Sequence, residues 1–107
     1  MARLYMIVTC MVLAASSALA QNRSADPNAG RDLALKTCAR CHIVANGQAQ
    51  SASDGVPSFA AISRRAETTE YRLRVFLAAP HGAMPDISLT TREIDDVTAY
   101  ILGLSRQ

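Results

Sequence analysis

Tryptophan is absent from this sequence, and the only aromatic residues are three tyrosines and two phenylalanines. Half of the 107 residues are apolar, but much of that half is alanine. One domain of this length with so few large side chains buries only a thin protein core. Something besides side chains must therefore help to fill its centre. Strand signals are missing as well: no segment alternates apolar and polar residues convincingly, and there is no internal repeat. Nor is there an excess of charge of one sign. With Arg3 set aside in the leader described next, ten basic residues face nine acidic ones over 21–107. That balance argues against nucleic acid as a partner.

A long apolar run occurs once. It covers residues 4–15 almost without a break, behind the positive charge of Arg3. Ser16-Ser17 and then Ala18-Leu19-Ala20 follow, the small-x-small pattern at which export signals are cut. The run is shorter than the roughly 20 apolar residues a transmembrane helix needs. Residues 1–20 are thus expected to be a signal peptide removed on export to the periplasm, leaving no membrane attachment. Cys10 leaves with it, so Cys38 and Cys41 are the two cysteines that reach an oxidising compartment.

Residues 21–27 read as a short polar N-terminal tail, and the domain proper as 28–107. Asp26-Pro27 is a helix-start signal, a capping carboxylate before a proline that suits the first helical position. A helix is expected over 28–38, with Leu33 and Ala34 on one face. Residues 43–57, rich in Gly, Ser, Ala, Asn and Gln, have no period and read as loop. A short helix over 58–64 carries Phe59 and Ile62. Thr68 or Thr69 opens another, which groups Leu73, Phe76 and Leu77 on one face until Pro80 stops it. Residues 80–85 hold too many breakers for anything but loop. Thr90-Thr91-Arg92-Glu93 is a capping box, and the last helix behind it aligns Ile94, Val97, Ile101 and Leu104. The expectation is an all-α domain of about four short helices and long irregular loops.

Cys38-Ala39-Arg40-Cys41-His42 is the most specific motif. Cys-x-x-Cys-His is the pattern of c-type haem attachment. Each thiol adds to one vinyl group, so the two sulfurs must straddle one porphyrin edge, and two intervening residues at a helix end set that separation. The histidine that follows is carried under the ring to bind iron. Other readings of two nearby cysteines fit less well. A redox Cys-x-x-Cys calls for a neighbouring βαβ unit, a zinc site for four ligands, and a plain disulfide leaves His42 without a role. A second axial ligand is needed on the opposite face, and Met84 is the one methionine beyond the leader, set between Ala83 and Pro85 in a breaker-rich loop. His81, three residues earlier, is the competitor and reads better as a loop histidine.

With these parts in this order the sequence resembles the class I cytochromes c, the small bacterial monohaem type. The resemblance spans residues 28–107. It runs from Gly30 and Leu33-Ala34 through the attachment motif to Val56-Pro57-Ser58-Phe59. It continues through Pro80-His81-Gly82-Ala83-Met84-Pro85 and ends on the stretch from Leu89-Thr90 to Tyr100-Ile101. The resemblance implies the cytochrome c fold, wrapped around one covalent haem c and its iron. It implies that the Pro57 carbonyl accepts a hydrogen bond from the other ring nitrogen of His42, and that Phe59, Phe76 and Leu77 line the pocket. It also implies that Gly30 lets the first helix cross the last at close range, against Val97 and Tyr100. The tryptophan and tyrosine that hold a haem propionate in mitochondrial members have no counterparts here. Ala34 replaces the aromatic that many relatives carry on the first helix, which implies a looser crossing.

The implied function is one-electron transfer between redox proteins, a donor and an acceptor, as a free carrier or as a subunit of a dehydrogenase or oxidase system. With both axial positions filled there is no open site for catalysis. The alternatives are a haem enzyme or gas sensor whose Met84 dissociates and, further off, a thiol–disulfide protein. Arg64, Arg65, Arg72 and Arg74 make a basic cluster, read as a solvated face balanced by Glu67 and Glu70 rather than as a contact for an acidic partner.

Overall fold

The computed structural model describes residues 24–49, 53–79 and 82–107. The expected signal peptide, residues 1–20, lies outside them, as do Pro80 and His81. Four helices follow one another among the described residues: α1 (Pro27–Thr37), α2 (Phe59–Ser63), α3 (Glu70–Ala78) and α4 (Thr91–Leu104). Among the described residues there is no strand.

Each helix starts where a side-chain oxygen takes up backbone N–H groups that the first turn leaves without partners. Asp26 accepts from the amides of Asn28 and Ala29, with Pro27 in the first turn. Ser58 accepts from Ala61 N–H and Thr69 from Arg72 N–H. At α4 the capping box closes in both directions, Glu93 N–H to Thr90 Oγ1 at 3.2 Å and Thr90 N–H to Glu93 Oε2 at 2.8 Å. The Thr90 amide and, as the smaller cause, the Thr90 hydroxyl both donate to the Glu93 carboxylate and hold its carboxyl below its ordinary value. α3 ends on Ala79, whose extended backbone is what a residue before proline adopts.

α4 is the element against which the other three pack, α1 most extensively. Ile94, Val97 and Ile101 of its apolar stripe are buried, and Leu104 packs at the edge of the core. The crossing with α1 is close rather than loose. A β-carbon on Gly30 would overlap the backbone carbonyl of Asp96, and Ala34, one turn on, has 0% of its surface exposed. A small residue at Ala34 lets the helix backbones approach instead of leaving a gap. Asp96, itself buried, accepts the Asp26 amide at 2.7 Å and pairs with Arg92 at 3.3 Å. The Arg92 guanidinium also donates to the Ser24 carbonyl at 2.8 Å, so the start of the domain is clasped to α4.

α3 is tied to α4 through Arg74, which meets Asp95 at 2.9 Å and Glu70 at 3.3 Å. Glu70 thus balances Arg74 as expected for that part of the basic cluster. Of the face expected to unite Leu73, Phe76 and Leu77, Leu73 is buried and Leu77 packs against the core, whereas Phe76 is 52% exposed. No helix among the described residues is long and apolar enough to cross a membrane.

Candidate haem-attachment site

Cys38 caps the C-terminus of α1, its amide still bonded to the Ala34 carbonyl at 2.8 Å. The chain then makes one more turn. The Cys38 carbonyl accepts from both Cys41 N–H at 3.1 Å and His42 N–H at 2.9 Å. Residues three and four apart on such a turn are neighbours, so this winding sets both Cys41 and His42 beside Cys38, as the Cys-x-x-Cys-His spacing requires. No disulfide joins the two sulfurs; Cys38 is buried in the core cluster and Cys41 is half-buried. Burial pushes the Cys38 thiol up to about 11, so it is held as a neutral S–H.

His42 Nδ1 lies 2.6 Å from the Pro57 carbonyl oxygen. A carbonyl can only accept, so Nδ1 carries the proton and, in the neutral ring, Nε2 keeps its lone pair. That is the state a metal-ligating histidine needs, with its other nitrogen held by an outer partner. The ring stands 5.5 Å from that of Phe59, tilted by 55°, and Phe59 lies 6.3 Å from the ring of Tyr100. Phe59 is buried at the start of α2, and its amide donates to the Ile43 carbonyl at 2.9 Å. The Tyr100 hydroxyl donates to the Val44 carbonyl at 2.6 Å, which brings α4 onto the loop just after the motif.

Cys38, Cys41, His42, Pro57 and Phe59 therefore meet in one region, with Leu77 against the same core. Met84 is half-buried in the loop between α3 and α4, outside the packed core cluster, and follows Gly82, whose φ of +46° turns the loop. The contacts of Gln48 and of Tyr100 with the loop after His42 had no signal in the sequence. Gln48 stands in a stretch without period, and Tyr100 is marked there only as a helix-crossing residue.

A thiol pair one turn apart, a histidine whose tautomer leaves Nε2 free, and four helices without a strand among the described residues define a c-type cytochrome domain. The comparisons with known proteins agree. The family described as cytochrome c oxidase, cbb3-type, subunit III matches residues 25–101, and the chain belongs to this cytochrome c family as a small class I c-type cytochrome. It is 45% identical over 95 residues to cytochrome c-552 of Bradyrhizobium diazoefficiens, which covers 89% of this chain and 90% of that protein. No solved structure matches it. The family's cofactor is covalently bound haem c with its iron, and its members are electron carriers.

Proposed function

We propose that this cytochrome is a periplasmic one-electron carrier, free or as a subunit of a redox complex. In this reading Cys38 and Cys41 bind the haem through thioethers, and His42 and Met84 are the axial ligands of its iron. The observation that carries it is the 2.6 Å contact between His42 Nδ1 and the Pro57 carbonyl, beside two free thiols at attachment spacing. The donor set fits the group: two sulfurs for covalent attachment, a nitrogen with its lone pair available, and one thioether in the loop between α3 and α4. When bound, haem supplies a one-electron Fe(III)/Fe(II) couple, and a Met/His pair raises its potential.

The chain's own residues do the rest. Pro57 orients His42 and, by taking its Nδ1–H, strengthens Nε2 as a donor. Phe59, Leu77 and the half-exposed Phe76 offer apolar surface to a flat, largely apolar group. Met84 would be the second protein ligand to the iron and would leave no place for small molecules, which suits a carrier that must change oxidation state with little change of shape. Export is read from the Ala18-Leu19-Ala20 cleavage pattern.

Carbon monoxide and intact mass test this reading. The reduced wild-type protein is expected to be low-spin and not to bind carbon monoxide rapidly at neutral pH, and the mature chain to begin at Gln21 and carry one haem. Rapid binding of carbon monoxide replaces the carrier by a sensor or enzyme whose Met84 dissociates. A full-length protein retained in the membrane removes the processed, periplasmic form.

A further inference from the structure

The loop that follows the attachment motif converges on one uncharged side chain. Gln48 Oε1 accepts from the Val44 amide at 2.9 Å. Its Nε2 donates to the His42 carbonyl at 2.9 Å and to the Ala39 carbonyl at 3.4 Å. Only a carboxamide offers an acceptor at one corner and two donors at the other without charge. The three partners also fix which way round the amide sits, because a flipped amide would set NH2 against the Val44 N–H and oxygen against two carbonyls.

Three other backbone groups of the segment are held from elsewhere. His42 N–H is bonded to Cys38, the Ile43 carbonyl to the Phe59 amide, and the Val44 carbonyl to the Tyr100 hydroxyl. His42 is thus gripped at both ends, its ring by Pro57 and its carbonyl by Gln48. Loss of the second grip frees the peptide that sets the direction of the side chain, and with it the alignment of Nδ1 on Pro57.

We propose that Gln48 is a positioning residue for His42. By framing Ala39, His42 and Val44 it sets the direction from which Nε2 is presented to iron, and it keeps Nδ1–H on the Pro57 carbonyl. This rests on the reading of His42 as the iron ligand. Gln48 itself contacts the backbone and acts through the imidazole. A hydrogen bond at the outer nitrogen of a ligating histidine raises its basicity, so the role extends to the potential of the site.

Two variants separate positioning from plain support. Gln48→Glu keeps the length and the acceptor for Val44 N–H but turns an oxygen towards two carbonyls. Gln48→Met keeps the bulk and removes all three bonds. In the haem-loaded protein, proton NMR reads the paramagnetic shifts of the His42 ring and the solvent exchange of its Nδ1–H, and a redox titration reads the potential. In both variants the shifts and the potential are expected to move. Nδ1–H exchange should speed up by about tenfold, the scale of one lost hydrogen bond. Asp96→Asn, which loosens the clasp between α1 and α4, should lower stability and leave the His42 signals in place.

Unchanged shifts, exchange and potential in both Gln48 variants overturn the proposal. So do wild-type Gln48 side-chain amide protons that exchange as fast as exposed ones, a measurement that needs no variant to acquire haem. A wild-type His42 ring without paramagnetic shifts is a different failure: it removes the ligand reading, and the positioning role with it.

Discussion

Gly30 of α1 lies so close to the Asp96 carbonyl of α4 that no β-carbon fits between the two helices. The obstacle is backbone, which cannot swing aside as the end of a long side chain can. Gly30→Ala should therefore force α1 off α4 and lower stability by about 1–3 kcal/mol, the usual scale of overpacking, despite alanine's better helix propensity. Denaturant unfolding of the haem-loaded protein measures it. A neutral or stabilising result would mean that the crossing relaxes freely.

The buried Asp96 carboxylate serves the Asp26 amide and Arg92 together. Asp96→Ala should cost about 1–3 kcal/mol, because it strands the Asp26 backbone donor and takes one partner from the Arg92 guanidinium, which keeps the Ser24 carbonyl. Hydrogen exchange should show the loss first at the Asp26 amide and the first turn of α1. A loss spread evenly over all four helices would speak against a local clasp.

Glu93 makes stability depend on pH. Its native carboxyl titrates below the ordinary value of 4.5 because the ionised form accepts from Thr90. The stabilisation is therefore fully present above that ordinary value and is lost as pH falls through the lowered native one. Glu93→Gln should unfold at nearly the same temperature as wild type at acid pH and at a lower one at neutral pH. Thermal melts at the two pH values give the comparison, and an equal gap at both would show that the charge has no part in it.

Met84 and His81 should behave oppositely. Met84→Ala is expected to lower the redox potential and to open the iron to cyanide and carbon monoxide, since a thioether favours the reduced state and fills the sixth position. His81→Ala should leave the spectrum, the potential and ligand exclusion unchanged. Visible spectra with and without added ligand decide it. If His81→Ala opens the site instead, the sixth ligand is the histidine.

The parts of the fold that are local in the chain were legible from residues alone. The Asp26-Pro27 start, the Thr90–Glu93 box and the stop before Pro80 each act within a few residues, and α1, α4 and α3 begin or end within a residue or two of the expected places. The turn that winds from Cys38 to His42 was legible for the same reason, since the Cys-x-x-Cys-His spacing is itself the geometry. Phe76 shows the limit. Periodicity put it on the face of Leu73 and Leu77, but a face has a width, and its edge is half exposed in this structure. Gln48 was out of reach for a different reason: its partners are backbone atoms of Ala39, His42 and Val44, and a backbone atom leaves no mark in the identity of its residue. The close α1–α4 crossing is what Gly30 implies; the looser fit implied by Ala34 is not found, because a small residue there permits approach instead of leaving a gap.

The clasp between α1 and α4 has a topological consequence. Its hydrogen bonds join residues 68 and 70 positions apart in the chain, and the one from Tyr100 to Val44 spans 56. The attachment motif, Pro57, Phe59 and Met84 all lie on the stretch of chain that this joint closes into a ring. Most of the entropy of closing a ring falls on its first long-range contact, and later contacts inside it come at little extra loss. Opening and closing of the ring should therefore be a single event for everything on it. As denaturant rises, the environments on the two sides of the haem should be lost at one midpoint, with no stage in which one half of the site survives without the other.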